Sequence, residues 1–78
     1  MPRFAFDPDE FHRRRLAADL PQEYLALAVG RTAASVADYE RGRTAPPIPV
    51  LWKLCEVLGC TPNDLVRPVD EPAVEVAS

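Results

Sequence analysis

A chain of 78 residues with 9 basic and 12 acidic side chains carries a net charge of −3. That length allows one domain around one core of modest stability, and no apolar run approaches the ~18 residues of a membrane span. Nothing resembles a secretory leader, so the expected location is the cytoplasm, with Cys55 and Cys60 reduced.

The acid is concentrated at the ends. Residues 1–10 carry −2 and residues 69–78 carry −3, whereas residues 11–68 hold eight basic against six acidic side chains. A mildly basic centre is compatible with nucleic acid, but falls short of the strongly basic domain that identifies such a partner by charge alone.

The opening MPRFAF is apolar without a helical period and reads as an extended arm, residues 1–7, whose Phe4 and Phe6 can tuck against the core. Asp7-Pro8-Asp9-Glu10 then starts a helix, with a capping carboxylate, proline at the first position and a glutamate three residues past the cap. This helix is expected to run to about Ala18. It carries Arg13-Arg14-Arg15, which serves either as a phosphate-binding patch or, as such runs more often do, as a solvated face.

Residues 21–42, PQEYLALAVGRTAASVADYERG, are the stretch around which the chain is organised. A short helix presents Leu25 and Val29 on one face with small Ala26 beside them, and Gly30 ends it with left-handed backbone geometry. Thr32 suits the N-cap of a second helix, which turns Val36 and Tyr39 inward before Gly42 stops it. Two helices this short need neighbours to hold them. A helix, a tight glycine turn and a second helix form the signature of helix-turn-helix DNA binding.

The loop Arg43-Thr44-Ala45-Pro46-Pro47 leads to a helix expected over residues 50–58, where Leu51, Leu54, Cys55 and Leu58 form a buried stripe with Trp52 packing at its flank. Thr61-Pro62-Asn63-Asp64 opens a last helix in which Leu65 and Val66 close the core. The cysteines read as small core hydrophobes, with no histidine pair to make a metal site. Residues 68–78, with two prolines, acid and small side chains after Arg67, form a flexible acidic tail. The expected architecture is all-α: five helices, no strands, and one domain over residues 8–67. An enzyme is not expected, since the single His12 has no nucleophile, metal set or phosphate loop near it. No cofactor is implied.

Residues 11–66 resemble the Cro/phage-repressor (XRE) family of lambda-repressor-like five-helix DNA-binding domains. The resemblance is carried by Arg15, Leu20, Gln22-Glu23, Leu25-Ala26, Val29-Gly30, Thr32, Val36, Glu40-Arg41-Gly42 and the LWKLCEVLG block, matched without a gap. It implies that the helix Ala33–Arg41, capped by Thr32, enters the major groove of double-stranded DNA. It also implies that Gln22 and Arg43 hold phosphates, and that Arg15 pairs with Glu40. The last point has independent support: Glu40 follows Tyr39 on the inward side of its helix, where a carboxylate needs a partner and an arginine fork supplies one.

The departures from the family pattern concern function. Pro21 replaces the usual hydroxyl cap, and Arg14 and Arg31 replace apolar residues. Tyr24, Leu27 and Ala28 are apolar where the family is polar, leaving an exposed patch suited to a partner surface or covered by the Phe4-Phe6 arm. The groove positions are Ala33, Ala34, Ser35 and Asp38, none of which makes a bidentate base contact. Two readings follow. One is a small sequence-selective transcription regulator, a repressor bound as a homodimer to a two-fold operator. The other is a helix-turn-helix fold repurposed as a protein-interaction module, antitoxin-like or a regulatory adaptor, with a protein partner on the Tyr24 face.

Overall fold

A computed structural model describes residues 3–69. The chain runs through strand β1 (Arg3–Phe6), helices α1 (Pro8–Ala17), α2 (Gln22–Val29), α3 (Ala33–Arg41) and α4 (Ile48–Leu58), a single 3-10 turn (Pro62–Leu65) and strand β2 (Val66–Val69). Several helix ends follow from local chemistry. Asp7 accepts from the Glu10 amide at 3.1 Å to start α1, and Thr32 accepts from the Ser35 amide at 3.1 Å to start α3. Gly30 and Gly42 terminate α2 and α3 at φ of 74° and 76°, a region closed to most side chains. Pro21 caps α2 without a side-chain bond, and Pro47 does the same for α4.

The core draws one fully buried side chain from each helical segment: Phe11, Leu25, Val36, Leu54 and Leu65. Ala26, Val29, Tyr39, Val50 and Cys55 complete it. At about 1.5–3 kcal/mol for each large apolar side chain removed from water, these few contacts hold helices too short to persist alone. The face of α4 is rotated from the expected one: Val50, Leu54 and Cys55 are buried, while Leu51 and Leu58 are half-buried at its margin. Trp52 is 56% exposed and does not pack as expected.

The five-helix, strand-free expectation needs correction at both ends. Among the described residues there are four α-helices, and the segment expected to be the fifth is one 3-10 turn. The Asp64 carboxylate does accept from the Thr61 amide at 2.9 Å, as its capping sequence predicts. The turn goes no further because Pro68 disfavours helical backbone at Arg67, and β-branched Val66 suits a strand. The chain instead extends as β2, antiparallel to β1 in the register Arg3↔Val69, Phe4↔Pro68, Ala5↔Arg67 and Phe6↔Val66. The arm is thereby fixed. Phe6 lies 5.6 Å from the Phe11 ring and 6.5 Å from the Tyr39 ring, measured between centroids, whereas Phe4 is 67% exposed. Of the expected flexible tail, Pro68 and Val69 belong to β2, and residues 70–78 lie outside the described residues.

Candidate nucleic-acid interface

The helix-turn-helix unit is α2, the turn at Gly30 and α3, clamped from behind by α1 and α4. The Arg31 amide closes the turn by donating to the Ala26 carbonyl at 2.8 Å, and the Arg43 amide donates to the Asp38 carbonyl at 3.0 Å past Gly42. These bonds consume carbonyls that the ends of α2 and α3 leave without partners, so the backbone itself closes both helix ends.

Glu40, near the end of α3, gathers the unit together. Its side chain is 7% exposed, and Arg15 of α1 reaches it with Nε on Oε2 and a second guanidinium nitrogen 3.3 Å from Oε1. Arg15 also donates to the Leu20 carbonyl at 2.7 Å, which pins the α1–α2 connection to the same site. His12 Nδ1 lies 2.9 Å from Glu40 Oε1, and the Gln22 amide donates to that oxygen at 3.1 Å. Burial pushes the Glu40 carboxyl upward, but the bonds from Arg15, His12 and Gln22 outweigh it and hold the group below its ordinary range. The Arg15–Glu40 pair was legible in the sequence. His12 was not, because only the packing of α1 on α3 brings it within reach.

Apart from Arg3 of β1, the remaining basic side chains fall into two sets. Arg13 and Arg14 both bind Glu10, the latter at 2.7 Å, and Arg14 also lies 3.9 Å from Asp64. Arg67 is 3.6 Å from Asp7 and 3.7 Å from Asp9. Each is engaged by carboxylates of the fold, so of the two readings of Arg13-Arg14-Arg15 the solvated face fits Arg13, whose side chain is 68% exposed, while Arg14 is half-buried and Arg15 buried. Arg31, Arg41, Arg43 and Lys53, by contrast, enter no ion pair among the described residues, and all four are exposed. They lie in the turn, at the end of α3, just after it, and on α4.

On α3 the positions singled out from the sequence lie together. Ala34 is exposed, and Ala33, Ser35 and Asp38 are half-buried. The Ser35 hydroxyl accepts from the Thr32 hydroxyl at 3.1 Å, which leaves its own proton available as a donor. On α2, Tyr24 and Leu27 are 54% and 80% exposed. The Phe4-Phe6 arm does not cover them, being paired with β2 and packed through Phe6 on Phe11 and Tyr39.

Cys55 is buried and Cys60 half-buried, both as free thiols. Burial, together with the neighbouring Cys60, pushes the Cys55 thiol up to about 11. Among the described residues no group of acidic, histidine and cysteine side chains could hold a metal ion, and no helix is long and apolar enough to cross a membrane.

Comparison with known proteins agrees with this geometry. Residues 11–65 match the model of the Helix-turn-helix family. The crystal structure of the P22 c2 repressor in complex with a synthetic operator superimposes with a TM-score of 0.71 at 25% identity, over 76% of this chain and 89% of that one. The restriction-modification controller protein C.AhdI from Aeromonas hydrophila does so with a TM-score of 0.68 at 28% identity, over 73% and 86%. The clp gene regulator ClgR from Corynebacterium glutamicum shares the fold with a TM-score of 0.69 at 23% identity, over 73% of this chain and 61% of that one. No curated protein matches in sequence.

Proposed function

This chain belongs to the XRE-type helix-turn-helix family of DNA-binding transcription regulators, and from that premise we propose that it is a repressor which seats α3 in the major groove of a two-fold operator, one copy to each half-site. The observation that carries this reading is the division of the cations. The arginines of α1 and β2 are engaged by carboxylates of the fold, while Arg41, Arg43 and Lys53, in and around the helix-turn-helix unit, stay available to phosphates. Gln22 keeps a second amide N–H beyond the one given to Glu40 and supplies a further phosphate donor at the start of α2.

Base reading on this surface is sparse. Ala33 and Ala34 offer methyl contact to thymine, Ser35 donates a hydroxyl proton to a base acceptor, and Asp38 accepts from a cytosine amine. No side chain here makes the bidentate contact that dominates base discrimination, so selectivity leans on half-site spacing and DNA shape. A second reading, a protein-interaction module with little DNA binding, is favoured by one observation, the exposure of Tyr24 and Leu27.

Selection from a randomised duplex pool at fixed salt separates the two. A regulator enriches a two-fold sequence, and Asp38→Ala raises nonspecific affinity while relaxing one symmetric position by about 1–3 kcal/mol. If wild type enriches nothing and the variant gains no affinity for DNA, the regulator reading fails.

A further inference from the structure

We propose that the outward face of α2 is a self-association surface, packing antiparallel on the same face of a second copy of this chain. Tyr24, Leu27 and Ala28 lie at i, i+3 and i+4 along that face, and all three are exposed. Leu27, at 80%, is the most exposed large hydrophobic side chain among the described residues. Pro21, three residues before Tyr24 at the start of α2, lines a groove of about 280 Å³ together with Arg15, Leu16, Asp19 and Leu20, and Leu16 there is 56% exposed. An apolar strip with an open groove at one end calls for a partner side chain.

The charges at the two ends of the strip select the occupant. Asp19 borders the groove and Glu23 flanks Tyr24; both are exposed, and neither enters an ion pair among the described residues. Arg31, just past Gly30 at the other end, is exposed and equally unpaired. The face therefore carries acid at its N-terminal end, apolar side chains in the middle and an arginine at its C-terminal end. A surface in that order is complementary to itself turned end for end, which is the requirement of an isologous two-fold contact. A uniformly acidic or basic partner satisfies one end and is repelled at the other.

The arrangement also sets a register. With Tyr24 at the two-fold axis, Leu27 of the second copy falls opposite Pro21 and enters the groove, whose volume exceeds that of one leucine side chain. Arg31 of the second copy then reaches Asp19 beside the C-terminal end of α1, where the helix dipole adds to the negative potential. Joining copies seated on separate half-sites through this contact is the one step that rests on the DNA-binding reading.

Sedimentation equilibrium of the full chain without DNA, from roughly 10 μM to 1 mM, tests the surface, because so small a helix contact is expected to give a weak dimer. Wild type is expected to show a monomer–dimer equilibrium. Leu27→Ser should weaken it at least tenfold with unchanged helicity, and Arg31→Gln about fivefold. Asp19→Asn, chosen because asparagine tolerates the φ of 59° at that position, should also weaken it. In the Asp19→Asn background Arg31→Gln should have no further effect. The proposal is overturned if wild type stays monomeric throughout, if Leu27→Ser dimerises like wild type, or if the Asp19 and Arg31 effects simply add. A gel shift on a single half-site separates this from the functional reading. Leu27→Ser should bind that duplex as wild type does, and a chain that dimerises yet never binds DNA would end the repressor reading alone.

Discussion

Replacing Glu40 by glutamine keeps the shape of the side chain and removes its charge. The Arg15 guanidinium would then sit in a site where its side chain is 11% exposed, facing a neutral amide and the Leu20 carbonyl at 2.7 Å. Stranding one member of a buried ion pair costs about 3–5 kcal/mol. The retained Leu20 bond and the partial exposure of His12 place this case at the lower end, about 3 kcal/mol. A domain of this length has about 4–12 kcal/mol in all. At roughly 4–8 °C per kcal/mol, the melting temperature should fall by about 12–24 °C in a thermal scan followed by far-UV circular dichroism. Arg15→Met should be similarly destabilising, whereas Arg15→Met with Glu40→Leu should recover much of the loss, since no charge is then left buried. A Glu40→Gln melt within about 3 °C of wild type would refute the reasoning, because it would mean that the pair is solvated enough to be worth little.

Acid should loosen the fold in a defined direction. The carboxyl of Glu40 is held low because its bonds to Arg15, His12 and Gln22 outweigh burial, that of Glu10 by Arg13 and Arg14, and that of Asp64 by the Thr61 amide. Each lowered group stabilises above its unfolded value, 4.5 for the glutamates, and loses that contribution as pH falls through its folded value. Urea midpoints should therefore be flat near neutrality and decline below pH 4.5, with Glu40→Gln showing a shallower decline; an identical decline would exclude Glu40 as a contributor. Arg43→Ala should weaken binding to all duplexes about equally and flatten the log–log salt slope of a dimer by about 2; normal binding at every salt would remove Arg43 from the phosphate contacts. In a thiol-reactivity assay at pH 8, Cys60 should react first and Cys55 only on unfolding, since burial pushes its thiol up to about 11. Equal rates would place Cys55 outside the core.

Fold and candidate site differ in how far they could be read from the residues. The four helices and several of their ends follow from interactions spanning three or four residues: the Asp7 and Thr32 caps, the proline at the first turn of α1, and the glycines at 30 and 42; α4, which has no side-chain cap, starts at Ile48, ahead of the expected residue 50. The inward set Phe11, Leu25, Val36 and Leu54 follows from helical period, which depends on nothing beyond the helix itself. The pairing of Arg15 with Glu40 joins residues 25 apart, yet it too was accessible, because an inward carboxylate on α3 needs a cation and the family resemblance named which one.

What remained out of reach depends on segments that meet only when the whole chain has folded. β1 and β2 are joined by a register between residues 60 to 66 positions apart, and neither strand has a partner until α1 and the 3-10 turn bring the ends together. Pro68 alone argues against a helix there but does not say what replaces it. The placement of His12 and Gln22 on Glu40 depends on how α1 and α2 cross α3, a matter of side-chain packing that no periodicity encodes. The same crossing decides which cations stay free. Glu10 lies one helical turn from Arg13 and Arg14 and claims both, whereas Arg31, Arg41 and Arg43 meet no carboxylate among the described residues. Exposure of Tyr24 and Leu27 likewise became definite only once β2 had taken the arm that could have covered them. Local rules act through covalent spacing and survive in the unfolded chain; these contacts arise from tertiary closure and do not.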